Sequence, residues 1–186
     1  MKISVVWLKR DLRLRDHEPL VEAIKAGYPV LMLYCFEPSL VAAPQSSERH
    51  WRFVWESIED LQAQLRPFQA QVMVFYQEVE QVFEAVFSEF EVQAVYSHQE
   101  TGIKITFDRD LRIADFLKKK GIVWKEYLQQ GVERKRKNRH RWNNLWYGLM
   151  SASLKQPDLK AAKWVSLSKT FWGKFPQNSF PEAWKT

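Results

Sequence analysis

ISVVWLKRDLRLRD, residues 3–16, is the stretch that decides the fold. Ile3, Val5 and Val6, followed by Trp7 and Leu8, make an apolar, β-branched run of the kind that fills a buried strand. The run gives way at once to Lys9, Arg10, Asp11, Arg13, Arg15 and Asp16. A buried strand that delivers charges at its carboxyl end is the pattern of a doubly wound α/β sheet where it meets a ligand.

The sequence beyond this stretch keeps alternating. Asp16 is predicted to cap a helix whose first turn holds Glu18 and Pro19 and whose apolar face is Leu20, Val21, Ala23 and Ile24. Residues 30–36 (VLMLYCF) form a continuous apolar run, expected of a central strand covered on both faces. Ser47 is predicted to open a long helix reaching about Leu65, with Trp51, Ile58, Leu61 and Leu65 at helical spacing. Residues 72–76, 92–96 and 122–127 supply three more strands. Between them lie helices marked by Val79, Val82, Phe83 and Val86, and by Phe107, Leu111 and Ala114. Five strands separated by helices cannot be joined by hairpins. Right-handed crossovers then give an α/β fold, a Rossmann-like, doubly wound five-stranded parallel sheet with helices on both faces.

From residue 129 the alternation stops. Residues 1–128 read as the α/β domain, and residues 129–186 as a basic, Trp-rich, partly irregular C-terminal linker broken by Pro157, Pro176 and Pro181. One short helix is expected there, using Trp142, Leu145, Trp146 and Leu149. A segment this rich in Trp and Phe should lie against a surface, of this domain or of another.

Composition narrows the function. A hydrophobic fraction of 46% can fill a core, so a wholly disordered chain is excluded. No apolar run reaches bilayer length and the N-terminus lacks signal-peptide architecture, so no membrane association is expected. The lone Cys35 cannot form an internal disulfide, which fits the cytoplasm. The net charge of +6 is uneven: residues 124–186 carry 13 basic and 4 acidic side chains, so everything before them is net acidic. There is no G-x-G-x-x-G and no Walker A loop, which argues against nicotinamide and P-loop chemistry. His17, His50, His98 and Cys35 show no metal-ligand spacing, so neither a metal site nor a catalytic residue is assigned.

VVWLKRDLRLRDHEPL, residues 5–20, resembles the N-terminal signature of the DNA photolyase/cryptochrome family: a hydrophobic strand, two basic residues, then Asp-Leu-Arg-Leu. The resemblance runs from Met1 to about Met150. It implies strand order 3-2-1-4-5 and a crevice between the carboxyl ends of strands one and four. It also implies that this is the antenna-chromophore-binding domain, taking a folate, deazaflavin or flavin pigment. Family members carry FAD in a C-terminal helical domain, and use it for light-driven repair of pyrimidine dimers in DNA or for blue-light signalling. Reaching only Thr186, the chain is expected to lack that FAD-binding domain, to depend on it as a partner together with damaged DNA, and to be inactive alone as a deoxyribodipyrimidine photolyase.

On this reading Lys9, Arg10, Phe36, Glu37, His98, Gln99 and Glu100 are the candidate cofactor-binding residues, with Glu100 accepting hydrogen bonds from a ring edge. The alternative for the charges after the first strand is a structural network in which Asp11 and Asp16 meet Arg13, Arg15 or Arg109. For residues 97–102 the alternative is an exposed loop. The run RKRKNRHR, residues 134–141, suits phosphate contacts beside stacking platforms, which makes Arg134, Arg136, Arg139 and Trp142 candidate nucleic-acid residues. Docking onto a partner domain, or pairing with acidic helices such as that of residues 78–91, is the reading preferred over direct DNA contact. Two rivals follow: a nucleotide-binding α/β domain of the electron-transfer-flavoprotein or universal-stress type, and a nucleic-acid-binding module acting through residues 134–146.

Overall fold

A computed structural model describes residues 1–132, 134, 138–175 and 179–184. Five parallel strands run β1 (Lys2–Leu8), β2 (Val30–Cys35), β3 (Val72–Phe75), β4 (Glu91–His98) and β5 (Val123–Tyr127). They are ordered β3-β2-β1-β4-β5, as the resemblance implies. Between them lie α1 (Glu18–Lys25), a short α2 (Pro38–Val41), α3 (Glu48–Leu65), α4 (Val79–Glu89) and α5 (Lys104–Lys119). After β5 come α6 (Trp142–Met150) and the single turn α7 (Lys169–Trp172).

The two-residue period of β1 sorts the core. Ile3, Val5 and Trp7 enter one apolar cluster, with Leu31 and Leu33 of β2, the inner faces of α4 (Val82, Phe83, Val86) and of α5 (Ile113, Phe116, Leu117). Val6 and Leu8 enter the other, with Met32 and Tyr34, Leu20 and Ala23 of α1, and Ile58, Leu61 and Leu65 of α3. Both faces of the sheet are therefore covered by helix. Cys35 is buried in the first cluster, and burial pushes its thiol up.

The chain after β5 packs onto both faces. Trp164 bridges to Val30, the backbone N–H of Val30 donating to the carbonyl of Lys163 at 2.7 Å and Val165 N–H returning to Val30 at 3.0 Å. Val165, Phe171 and Phe175 then complete the first cluster, while Trp184 completes the second. The linker thus lies against this domain.

One cap differs from expectation. His17, not Asp16, caps α1, its Nδ1 accepting the Leu20 N–H at 3.1 Å. Asp16 sits at φ 51° and its carboxylate accepts the N–H of Lys155 at 2.9 Å instead. His17 is drawn inward by a polar cluster at the carboxyl end of the sheet.

Candidate functional site

The four residues after β1 divide between inward and outward roles. Lys9 turns inward, its ammonium 4.4 Å from the Trp7 ring and 4.9 Å from the Trp124 ring, and pairs with Asp110 at 3.1 Å. Burial lowers its pKa, against the pull of Asp110. Arg10 points outward, its side chain 60% exposed, and donates from Nε to Glu100 Oε1 at 2.9 Å.

Beneath this pair lies a buried ionic network built on Arg109. It donates to Glu100 at 2.6 Å, Glu37 at 2.7 Å and Asp110 at 2.9 Å, and its guanidinium lies 4.8 Å from the Trp7 ring. Burial opposes its charge, yet Glu37, Glu100 and Asp110 together raise its pKa above the ordinary value. Glu37 responds the other way: burial outweighs the attraction of Arg109 and pushes its carboxyl up to about 7. Arg134 completes the network, bonding the carbonyl of Glu100 and the carboxylates of Asp110 and Glu126.

A second cluster gathers on Asp11, which is wholly buried. Its Oδ1 accepts the Lys9 N–H at 2.8 Å, and its Oδ2 accepts from His98 Nδ1 at 2.6 Å. His17 Nε2 lies 2.9 Å from the same Oδ2, outside hydrogen-bond geometry. Burial works against the Asp11 charge, but the two imidazoles hold the carboxyl well below its usual range. Asp, His and His within reach of one another suggest a metal centre. The distances read differently. A tetrahedral zinc would hold its ligands about 3.3 Å apart around a central space, whereas here Oδ2 itself stands between the two rings. His17 Nδ1 accepts a hydrogen bond, so its hydrogen sits on Nε2, where a metal would need the lone pair. The cluster is a hydrogen-bonded hub.

These contacts decide where the molecule is open. The pairs Asp11–His98 and Arg10–Glu100 tie the end of β1 to that of β4, and a polar pocket of about 40 Å³, which His98 and Gln99 line, lies beside them. On the other side, over the ends of β1 and β2, a cleft of about 530 Å³ opens toward α3. Its walls include Trp51 and Phe53 of α3 and Tyr34 of β2, its floor Lys9, Glu37 and Arg109, and its far rim Arg10 and Glu100.

The sequence-derived candidates therefore fall into three groups. Lys9, Arg10, Glu37 and Glu100 meet at the large cleft. His98 and Gln99 face the small pocket instead. Phe36 is fully buried beneath the cleft, 5.0 Å from the Trp184 ring and 5.9 Å from that of Trp51, because its N–H still follows the sheet in bonding to Phe75. The alternative pairing of Asp11 with Arg109 is also corrected, since Arg109 goes to Glu37, Glu100 and Asp110. Arg134 is turned into the network, with three acceptors of this domain on its guanidinium, rather than toward a nucleic-acid phosphate or the acidic α4. Arg139 is exposed, Trp142 donates to the carbonyl of Gly131 at 2.6 Å, and Arg136 lies outside the described residues. Sequence reasoning missed Trp51 and Tyr34 as walls because their helical or strand spacing reads equally well as core, and Phe53 because an exposed aromatic off the core face carries no signal of its own.

A profile of the DNA photolyase family matches residues 4–132, more than half of the chain. The chain belongs to the DNA photolyase family. The matched part is the family's N-terminal α/β domain. Among curated relatives, Cryptochrome DASH of Gloeobacter violaceus is 38% identical over 119 residues, which covers 61% of this chain and 24% of that protein. The chain thus spans about a quarter of the length of that relative. A bacterial class III photolyase from Agrobacterium tumefaciens superimposes with a TM-score of 0.70 at 20% identity, covering 95% of this chain and 39% of that one. An archaeal photolyase from Sulfolobus tokodaii gives 0.69 at 21% identity, with 95% and 42% covered. These photolyase structures share the fold. Among the described residues no helix is long and apolar enough to cross a membrane.

Proposed function

We propose that this photolyase-family domain binds an antenna chromophore, a flat conjugated pigment of the folate, deazaflavin or flavin type, in the cleft over β1 and β2. The observation that carries the reading is the cleft itself: about 530 Å³, walled by Trp51, Phe53 and Tyr34 and rimmed by the exposed Arg10. The donor set fits such a group. Aromatic walls cover a ring face, Arg10 offers a charge-assisted donor to a carboxylate or phosphate tail, and Glu37, raised to about 7, exchanges a proton near neutrality. The Sulfolobus tokodaii relative is described with two FAD molecules and an implied novel light-harvesting cofactor, which supports a pigment of flavin type here. When bound, the pigment supplies visible-light absorption and excitation transfer.

The chain's own residues shape the site. Lys9 and Arg109 neutralise the carboxylates of the floor, so a neutral ring meets no uncompensated charge. In the longer protein, the proposed partners are a C-terminal FAD domain and damaged DNA, with the domain described here serving the FAD site by light harvesting. Placement of the protein in the cytoplasm is part of the same proposal.

The test is a titration of FMN, methenyltetrahydrofolate and a deazaflavin, followed by absorbance and fluorescence. Saturable binding of one of them is expected, weakened about tenfold or more by Arg10→Ala, the loss usual for a hydrogen bond to a charged group. If none of the three binds, the reading fails.

Gly102 gives a second check. A Cβ there would collide with Thr106 Oγ1 and come within 2.9 Å of Glu100 Oε1 and 3.2 Å of Arg10 Nη2. Gly102→Ala should displace the Arg10–Glu100 pair, lowering pigment affinity several-fold at a stability cost of about 1–3 kcal/mol. A titration and a thermal melt, run together, would show both effects; an unchanged affinity would mean that the rim pair does not touch the pigment.

A further inference from the structure

We propose that Asp11, His17 and His98 form one positioning unit that shuts the β1–β4 side of the sheet and turns the Lys9–Arg10 segment toward the large cleft, and that protonation of His98 releases it. As a statement about ligand binding, this rests on the antenna reading above. As a statement about the protein alone, it stands on the geometry.

The hub joins three elements. Through Oδ1, Asp11 holds the first backbone N–H after β1. Through Oδ2 it holds His98, the last residue of β4, and lies against His17, the cap of α1. The two rings meet edge to face, with centroids 4.8 Å apart. Three elements that converge on one carboxylate have a fixed relative position, and the residue between the anchored Lys9 N–H and Asp11 is Arg10. Arg10 reaches Glu100 only because the ends of β1 and β4 are held together two residues earlier on one side and one residue later on the other.

The unit also has a titratable member. His98 faces Asp11, His17 and, more distantly, Arg13, and shares its small pocket with Lys9, Arg10 and Glu100. Burial lowers its pKa, and the attraction of Asp11 opposes without overcoming it. A histidine whose folded pKa lies below its unfolded value of 6.5 favours the closed state above that value. As pH falls through 6.5 toward the folded pKa, the closed state loses that advantage. A protonated His98 gains by leaving the buried pocket for water, which parts β4 from Asp11.

Two substitutions separate geometry from titration. His98→Asn keeps an N–H donor at the position of Nδ1 but does not titrate. His98→Leu fills similar space without a donor. In the ligand-free protein, exchange of the Lys9 amide hydrogen is expected to stay slow in the wild type and in His98→Asn at pH 7, and to accelerate about tenfold or more in His98→Leu. Expressed as protection relative to an unstructured chain at the same pH, which removes the slower intrinsic exchange in acid, the Lys9 amide should lose protection on acidification to pH 5 in the wild type and not in His98→Asn. Should His98→Leu fail to fold, His98→Gln, which carries its donor one bond farther out, is expected to show the same acceleration. FMN affinity at pH 7 should follow the same ranking.

If none of the three pigments binds the wild type, that failure falls on the antenna reading, and amide exchange still decides this one. Lys9 protection that is the same in all variants, or an acid loss of Lys9 protection that survives in His98→Asn, would overturn the positioning unit.

Discussion

Replacing Arg109 by Met should destabilise the domain by about 3–5 kcal/mol at pH 8, the range found when one member of a buried ionic group is removed. The guanidinium is the common partner of Glu37, Glu100 and Asp110, and all four side chains are no more than 6% exposed. Methionine keeps much of the packing on Trp7 but leaves three carboxylates facing one another, with Lys9, Arg10 and Arg134 as the remaining cations. The penalty should depend on pH with a definite sign. In the wild type the Glu37 carboxyl is raised to about 7 against 4.5 unfolded, so its protonation favours the folded state at low pH and that contribution is lost between 4.5 and 7. Without Arg109 the opposing attraction is gone and the carboxyl rises further, so more of the deficit is relieved by protonation. Urea unfolding at pH 5.5 and pH 8 should therefore show a smaller difference between variant and wild type at the lower pH. A loss under 1 kcal/mol, or one independent of pH, would mean that Arg109 is dispensable to the network.

The frame of this molecule was legible in its letters because burial on both sides of a strand leaves an unambiguous trace. Residues 30–35 are apolar without interruption and residues 3–8 are broken by Ser4 alone, and the structure makes them β2 and β1, neighbours in the middle of the sheet. The strand order itself came from the family resemblance; no local pattern distinguishes 3-2-1-4-5 from another crossover order. Capping was less legible. Asp16 and His17 stand side by side, Asp is the commoner cap, and what moves the cap to His17 is the pull of Asp11 and His98 from distant elements.

The site divides in the same way. Lys9, Arg10 and Glu100 were visible as polar residues directly after apolar strands. Their division into inward and outward roles was not, because it depends on Trp124 and Asp110 meeting Lys9 across more than 100 residues of chain. His17 and His98 show no ligand spacing and meet only through the fold. The crevice was expected between β1 and β4; side-chain bonds close that gap and leave the opening over β2, an outcome of partner choice that spacing does not encode.

The chain after residue 128 gives the second large effect. Phe171 is fully buried against Phe75 and Phe175 on one face of the sheet, and Trp184 is 3% exposed against Phe36 and Trp51 on the other. Truncating a buried Phe or Trp to Ala costs about 3–5 kcal/mol. Phe171→Ala and Trp184→Ala are each expected to reach that range in denaturant unfolding. Because the sheet separates the two clusters, their effects should add to within about 0.5 kcal/mol. The double variant would then lose roughly 6–10 kcal/mol, as much as the entire stability of many domains, and should be largely unfolded without denaturant. The boundary at 128 marks where the α/β alternation ends. We propose that it is not where the folding unit ends, since a spacer that merely rested on the surface would leave both single variants within 1 kcal/mol of the wild type. Phe171 and Trp184 are reached only after Val165 has bonded back to Val30 at the amino end of β2. Trp184 packs on Trp51, a wall of the cleft, so both singles at full cost would make the segment part of the core that shapes the cleft.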